Sequence, residues 1–345
     1  MLKVVSLFAG CGGAEQGLLG GFEFNGQEYS KLPFEVVYAL DINEKALNTY
    51  KLNFDCKNVV ASDIVDVAAD SIPDCDIIIG GFPCQSFSTV NPTKDPFDDR
   101  ANLYKEMVRI VKAKKPKIFI AENVKGFMTL HRGAIINKVT NSFKEIGYEV
   151  KSELLNAADF GVPQRRQRVF MVGIRNDINE IYNFPTPTTE NNHVPLSDVI
   201  PQLAIEETKY YFSERAVQGM KNAKNNMKRG LAQNLSEPCL TITSHLAKAS
   251  LNSRDPVLLV DPEKELYRRF TPREAARIQS FPDSFQFAGG DLDAYRQIGN
   301  AIAPVMFWHI AKSIAEILSK LDDIKKTIFP ENIQLSICDF INQSA

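Results

Sequence analysis

Over residues 1–175, apolar runs of strand length alternate with segments whose apolar residues recur at helical spacing. Residues 44–53 and 102–112 carry the helical spacing. Strands separated by helices predict an α/β fold, in which a parallel sheet is covered by helices on both faces. The predicted strands are Val4–Phe8, Val36–Leu40, Ile77–Ile79, Ile118–Ala121 and Val169–Ile174.

The character of the chain changes between residues 176 and 265. Pro, Thr and Asn become frequent there, the periodicity weakens, and only short strand-like pieces remain, such as Cys239–Thr243 and Val257–Val260. This composition predicts a second, smaller domain that is mostly irregular and β.

A helical pattern returns after this segment. Thr271 is suited to cap a helix, with Pro272 in its first turn and Glu274 as the capping-box partner. The apolar stripe of residues 303–321 predicts a core-facing helix. We therefore divide the chain into a catalytic and cofactor-binding domain at 1–175, the second domain at 176–265, a C-terminal segment at 266–321 that returns to the first domain, and an unassigned tail at 322–345.

Composition leaves several partner classes open. The chain is 44% hydrophobic and 24% charged, which is ordinary for a globular enzyme. Its net charge of −2 does not exclude nucleic acid, because basic residues cluster at 112–117, 165–168, 221–229 and 268–269. The six cysteines show no Cys-x-x-Cys, so we expect neither a metal site nor disulfides. With no export signal or membrane-length apolar run recognised, we expect a cytoplasmic protein without a membrane partner.

A glycine-rich turn follows the first predicted strand. Phe8, Gly10, Gly12 and Gly13 form this turn, but Glu15 stands where a dinucleotide fingerprint needs a third glycine. The pattern favours a cofactor without a pyrophosphate, such as S-adenosylmethionine.

Two aspartates follow later strands in a way that supports this cofactor. Asp41 closes the second predicted strand, where a carboxylate can bind both ribose hydroxyls, and Asp63 is placed to accept from an adenine amine. Either aspartate taken alone is more often a helix N-cap.

Cys84 follows a strand that ends in Gly80-Gly81 and a loop residue, Pro83. A thiol at such a position lies at the ligand crevice of an α/β sheet, where its pKa can fall enough to supply a thiolate nucleophile. The other five cysteines are expected to be structural. The polar, proline-rich residues 90–100 could close over a substrate.

A carboxyl group and two arginines follow further strands. Glu122 could act as a general acid toward a base or could cap the next helix. Arg166 and Arg168 alternate along a predicted strand, so their side chains should share a face and need carboxylates or a polar substrate.

The ordered motifs resemble those of the cytosine-C5 DNA methyltransferases of the bacterial restriction–modification type. Asp41 stands where Glu is usual and Ser62 where Gly is common, yet both carboxylates are kept. The resemblance rests on residues 8–13, 81–88, 122–124, 164–168, 269–282 and 297–304.

The resemblance implies a mechanism, a fold and a set of contacts. Cys84 would add to cytosine C6, Glu122 would act at N3, and Arg168 would hold the exocyclic oxygen, with Arg166 supporting Glu122. The base would be flipped out of the duplex.

The implied fold is a Rossmann-like methyltransferase domain with a mixed, mostly parallel sheet, and residues 176–265 would be the target-recognition domain. The implied cofactor contacts are Phe8, Gly10, Gly12, Gly13, Asp41, Ile42, Asp63, Ile64, Pro83, Leu103, Asn300 and Ala301. The implied DNA contacts are Gln85, Ser86, Ser88 and Gln164.

The resemblance also implies partners, and it has to be weighed against alternative functions. It implies a DNA (cytosine-5-)-methyltransferase that acts as a monomer on double-stranded DNA, converts S-adenosylmethionine to S-adenosylhomocysteine, and is linked to a cognate restriction endonuclease. An RNA (tRNA) cytosine methyltransferase of the same fold is the nearest alternative. A nucleotide-dependent oxidoreductase would leave Glu122 and the arginines unexplained, and a non-catalytic DNA-binding regulator would not need Cys84.

Overall fold

A computed structural model describes residues 1–83, 103–222, 232–246 and 256–328. Its centre is a seven-stranded sheet with the strand order β5-β4-β1-β6-β7-β10-β8. The first five of these run parallel, whereas β10 is antiparallel to both of its neighbours. The strands of this sheet are β1 (Leu2–Leu7), β4 (Phe34–Asp41), β5 (Val59–Ala61), β6 (Ile77–Gly80), β7 (Ile118–Val124), β8 (Tyr148–Asn156) and β10 (Gln167–Arg175).

The predicted strands are confirmed, and the edge of the sheet supplies a strand that the apolar pattern missed. The central strands are buried on both faces, so they read as continuous apolar runs. The edge strand β8 mixes a few buried residues with half-buried and exposed ones, so it contains no such run. The mixed, mostly parallel sheet agrees with the expected Rossmann-like architecture.

The smaller strands lie outside the central sheet. A hairpin joins β2 to β3, β11 pairs in parallel with β9, and β12 pairs antiparallel with β13. These strands are β2 (Phe22–Phe24), β3 (Gln27–Tyr29), β9 (Gln164–Arg165), β11 (Cys239–Leu240), β12 (Leu258–Asp261) and β13 (Leu266–Arg268).

Helix boundaries follow the sequence signals closely. The second helix spans the predicted residues 44–53, and the seventh begins with the predicted capping box of Thr271 and Glu274. The third helix begins at Tyr104 and ends two residues beyond the predicted end. The helices are α1 (Gly13–Leu19), α2 (Glu44–Asn53), α3 (Tyr104–Lys114), α4 (Gly126–Thr129), α5 (Ala134–Glu145), α6 (Glu214–Lys221), α7 (Pro272–Ile278), α8 (Asp291–Asn300) and α9 (Pro304–Ile328).

The C-terminal helices belong to the core. Asp291–Leu321 is long and apolar enough to cross a membrane by length and composition, which corrects the expectation that no segment approaches this length. However, 61% of its most apolar window is buried inside the protein. Burial against α1 and the sheet explains its apolar stripe, as expected of a core helix.

Residues 176–265 contain short elements and share a core with the rest of the chain. Leu196, Cys239, Ile242 and Leu258 lie in the same hydrophobic cluster as β1, β7 and α9. The bridge between Tyr211 and Arg268 also crosses the expected boundary at residue 265. The described part of this segment is therefore packed onto the catalytic sheet, and its independence as a domain stays a prediction.

Candidate active site

A cleft of about 610 Å³ opens at the carboxyl ends of β1, β4, β6 and β7. This is the edge at which open α/β sheets place their ligands. Asp41 and Gly80 end β4 and β6, the glycine-rich turn follows β1, and Glu122 lies two residues before the end of β7, so all of them meet at this edge. The cleft therefore gathers motifs that are far apart in the chain.

The glycine-rich turn forms one wall of the cleft with an unusual backbone. Phe8 has a φ of 58°, in the left-handed region that side chains other than glycine seldom adopt. Gly12 has a φ of 95°, and a Cβ there would lie 2.1 Å from the ring of Phe54. The turn thus depends on glycine at position 12 both for its conformation and for its packing against α2.

Asp41 ties the end of β4 to this turn. One carboxylate oxygen accepts a hydrogen bond from the Gly10 amide at 2.8 Å, and the other accepts one from the Asn43 amide at 2.7 Å. Burial raises the pKa of Asp41 despite these bonds. Its carboxylate is fixed at the cleft, where it can still accept hydroxyl donors with its remaining lone pairs.

Most of the expected cofactor residues line this cleft: Phe8, Gly10, Gly13, Asp41, Ile42, Pro83, Leu103, Asn300 and Ala301. Gly12, Asp63 and Ile64 are not among its lining residues. Asp63 instead caps a short helical turn by accepting from the Val65 amide at 3.2 Å, and Ile64 is buried in the core. The adenine contact expected of Asp63 stays a prediction.

Cys84 lies outside the described residues, as do Gln85, Ser86 and Ser88, but the segment that leads to Cys84 is described. The Asn123 side-chain amide donates to the Phe82 carbonyl at 3.0 Å and so fixes the chain two residues before Cys84. A Cβ at Gly81 would lie 3.1 Å from a Glu122 carboxylate oxygen, so this glycine allows the close approach of Glu122. Asn123 therefore positions this segment, a contact that the sequence motif contained but to which we assigned no role.

Glu122 and Arg168 form an ion pair in the cleft. In the sheet register Glu122 is opposite Phe170, so Arg168, two residues away on β10, lies diagonal to it on the same face. The Arg168 Nε and a Glu122 carboxylate oxygen are 3.0 Å apart, and both side chains are largely buried. Burial raises the pKa of Glu122, although Arg168 and Arg166 oppose this effect. A raised pKa suits a carboxyl group that shares a proton with a ring nitrogen.

Arg166 lines the same cleft, but Glu122 is not one of its direct hydrogen-bond partners. It is 1% exposed and donates to the carbonyls of Ile242, Gly299 and Ala301 at 2.9–3.2 Å. The expectation that a buried guanidinium group requires a carboxylate or a substrate is therefore wrong for Arg166, because backbone carbonyls accept its hydrogen bonds. Its charge still acts on Glu122 by lowering the pKa of that carboxyl.

Gln164 is also placed differently from the expectation. It is fully buried, donates to Gln279 and to the Ile278 carbonyl, and accepts from the Ile242 amide. The whole side chain is enclosed by protein in this structure, and its contact with DNA stays a prediction. Gln164 and Arg166 instead join the segment around Ile242 to the C-terminal residues 278–301.

A second, more open cleft of about 470 Å³ adjoins the first at Arg168. Lys125 and Arg165 line it. Lys125 donates to Gln167, and Arg165 pairs with Glu237, so both cations are held at the rim. Such a basic opening beside a buried carboxyl site is suited to a phosphate-bearing substrate.

Related proteins that match most of the chain are type II methyltransferases by name. The type II methyltransferase M.FnuDI of Fusobacterium nucleatum is 32% identical over 358 residues, covering 95% of this chain and 98% of that protein. M.NlaX of Neisseria lactamica is 33% identical over 329 residues, covering 94% and 100%.

Solved structures share the fold. An E. coli prophage protein described as a DNA modification methyltransferase has a TM-score of 0.70 at 25% identity, covering 92% of this chain and 100% of its own. DNMT2 of Spodoptera frugiperda, at 21% identity and a TM-score of 0.72, covers 91% and 99% and shows the same fold. Residues 2–316 match the family described as C-5 cytosine-specific DNA methylase. The chain therefore belongs to the C-5 cytosine-specific DNA methylase family.

Proposed function

We propose that this site methylates C5 of a flipped-out cytosine in a specific duplex DNA sequence, with S-adenosylmethionine as methyl donor and Cys84 as nucleophile. The observation that carries the proposal is the Glu122–Arg168 pair at the cleft, 3.0 Å apart and largely buried, beside the segment that leads to Cys84. A paired carboxyl and guanidinium present both a proton-sharing group and fixed donors to the edge of a heterocycle.

The chain's residues would act in sequence on the base. The Cys84 thiolate would form a bond to C6 while Glu122 shares a proton with N3 and Arg168 donates to the exocyclic oxygen. C5 would then gain the methyl group and lose its proton to a base, and the bond between Cys84 and C6 would break to restore the ring and the thiolate. Because a stacked base cannot reach the cleft, the cytosine must leave the duplex.

The described cofactor wall fits S-adenosylmethionine. Asp41 is fixed to accept ribose hydroxyls, Phe8 supplies an aromatic face, and Asn300 and Ala301 bring the C-terminal segment to the same cleft. S-adenosylmethionine would supply the electrophilic methyl group and leave as S-adenosylhomocysteine.

The partners follow from this chemistry and from the names of the relatives. We propose double-stranded DNA as substrate, residues 176–265 as the part that reads the target, a cognate restriction endonuclease as a functional partner, and a cytoplasmic monomer as the working form. The basic opening at Lys125 and Arg165 would contribute affinity through phosphate contacts, whereas base contacts would give specificity.

Bisulfite sequencing of DNA from a host that expresses the chain tests the reaction and reveals its site. Purified protein should form a covalent complex with duplexes that carry 5-fluorocytosine at that site. Cys84→Ser should abolish this complex, while Cys75→Ser, which changes a partly buried cysteine at another position, should retain it. Methylation of tRNA in place of DNA, or a covalent complex with Cys84→Ser, would refute the proposal.

A further inference from the structure

Glu15 is a buried carboxyl group in the wall of the cofactor cleft. It lies in the first turn of α1, is fully buried, and is one of the residues that line the cleft. Neither of its carboxylate oxygens has a hydrogen-bond partner in the described structure. A carboxyl group in this state is costly, since buried polar groups nearly always find a partner.

The surroundings of Glu15 supply no described cation. The groups that interact with it electrostatically or by polar contact are Ser6, Cys11, Asp41, Tyr50 and Cys56, which are acidic or neutral. The Tyr50 hydroxyl is likewise buried without a hydrogen-bond partner. Within the described residues, this corner of the cleft therefore holds an excess of negative charge.

Burial raises the pKa of Glu15 to about 7 and Asp41 raises it further, while the nearby Ser6 hydroxyl and Glu15 backbone amide oppose the rise without forming a geometrically complete hydrogen bond to either oxygen. The carboxyl is thus close to half ionised at neutral pH. A cation brought against it would favour the charged form and lower this pKa.

We propose that Glu15 is a further cofactor-binding residue, whose carboxylate receives a positively charged group of S-adenosylmethionine. The inference rests on the proposed function, because it requires that cofactor. The cofactor carries two cations, the sulfonium and the α-ammonium group, and either would complete the pairing that the protein leaves open. Glu122, the other glutamate that lines the cleft, already has Arg168 as its partner.

Calorimetric titration of the intact chain with the cofactor, without DNA, tests the proposal. Glu15→Gln keeps the size of the side chain and removes its charge, and Glu44→Gln, an exposed glutamate in the first turn of α2, is the matched control. We expect Glu15→Gln to weaken binding of S-adenosylmethionine by about ten- to a hundredfold, the range for a hydrogen bond to a charged group. Glu44→Gln should bind as the native chain does.

S-adenosylhomocysteine distinguishes the two cations, because it keeps the α-ammonium group and lacks the sulfonium charge. An equal loss of affinity for both compounds assigns the α-ammonium group, and a loss confined to S-adenosylmethionine assigns the sulfonium. Either result supports the proposal. Equal affinities of Glu15→Gln and the native chain for both compounds overturn it.

Proton release gives a second readout. Near pH 6.5, just below the pKa of Glu15, cofactor binding to the native chain should release a proton, measured as a dependence of the binding heat on the ionisation enthalpy of the buffer. Glu15→Gln should lose this release and Glu44→Gln should keep it. If Glu15→Gln fails to fold, absence of proton release in the native chain overturns the proposal. If the native chain binds neither compound, the proposed cofactor itself is wrong.

Discussion

The two halves of the cleft differ in how their buried carboxyl groups are partnered. In the half assigned to the base, Glu122 is paired with Arg168 and lies near the charge of Arg166. In the half assigned to the cofactor, Asp41 is bonded to two backbone amides, and Glu15 has no partner among the described residues. In the base half the carboxyl group has cationic neighbours before a ligand arrives, whereas Glu15 in the cofactor half lacks one and is complementary to a cationic group of a ligand.

The difference matches the ligands that the proposed reaction brings. Cytosine is neutral and brings no counter-charge, so the groups that hold it must be fixed by one another beforehand. S-adenosylmethionine carries a sulfonium and an ammonium group against one carboxylate, so an unpaired carboxyl in the wall gains from the arrival of either cation. Preorganisation in one half and electrostatic complementarity in the other are thus two parts of the same design.

Replacing Glu122 should cause the largest loss of methylation among changes in the base half of the cleft. Glu122→Gln removes the group that shares a proton with N3, so we expect single-turnover methylation to fall by about a hundredfold to ten-thousandfold. Cofactor affinity should be unchanged. Glu153→Gln, an exposed glutamate that faces the same Phe170 from β8, is the control and should keep the native rate. A fall of less than about threefold, roughly 0.6 kcal/mol, would make Glu122 structural.

The pH dependence of the same reaction sharpens the comparison. Because burial raises the pKa of Glu122, its protonated fraction at a given pH is larger than that of an exposed glutamate. As pH rises above that pKa, the fraction declines, and the Glu122-dependent part of the rate should decline with it. Glu122→Gln should show no such decline.

Replacing Arg166 should mainly lower stability, whereas replacing Arg168 should mainly lower the rate of methylation. Arg166→Met leaves the buried carbonyls of Ile242 and Gly299 without their donor, while the Ala301 carbonyl keeps Gln279, so we expect unfolding to be easier by about 3–5 kcal/mol. Arg168→Met removes the partner of Glu122, whose raised pKa lets the carboxyl become neutral, so it should reduce methylation with a smaller loss of stability. Denaturant unfolding of both variants measures this difference, and equal stability losses would contradict it.

The sequence predicted which residues lie at the cleft edge of the sheet better than it predicted their hydrogen-bond partners. Asp41, Glu122 and the glycine-rich turn could be placed because each ends an apolar run, and such ends meet at one edge of a parallel sheet. The partners of Gln164 and Arg166 could not be predicted, because they are backbone atoms and Gln279, more than 70 residues away and without a local pattern. Glu15 was visible only as a departure from a dinucleotide fingerprint, since its burial depends on how α1 packs.

Asp41→Asn is the mildest test of the cofactor half. The amide keeps the size of the side chain, but its NH₂ group faces either the Gly10 or the Asn43 amide donor, so the turn loses one hydrogen bond and the ribose loses an acceptor. We expect affinity for S-adenosylmethionine and S-adenosylhomocysteine to fall alike, by about tenfold, since both carry the same ribose. Asp55→Asn, an exposed aspartate after α2, is the control. Covalent trapping of 5-fluorocytosine DNA at saturating cofactor should remain near native, because the base half is untouched. A selective loss of S-adenosylmethionine binding would instead show that Asp41 reads the cofactor's charge, a role that the comparison gives to Glu15.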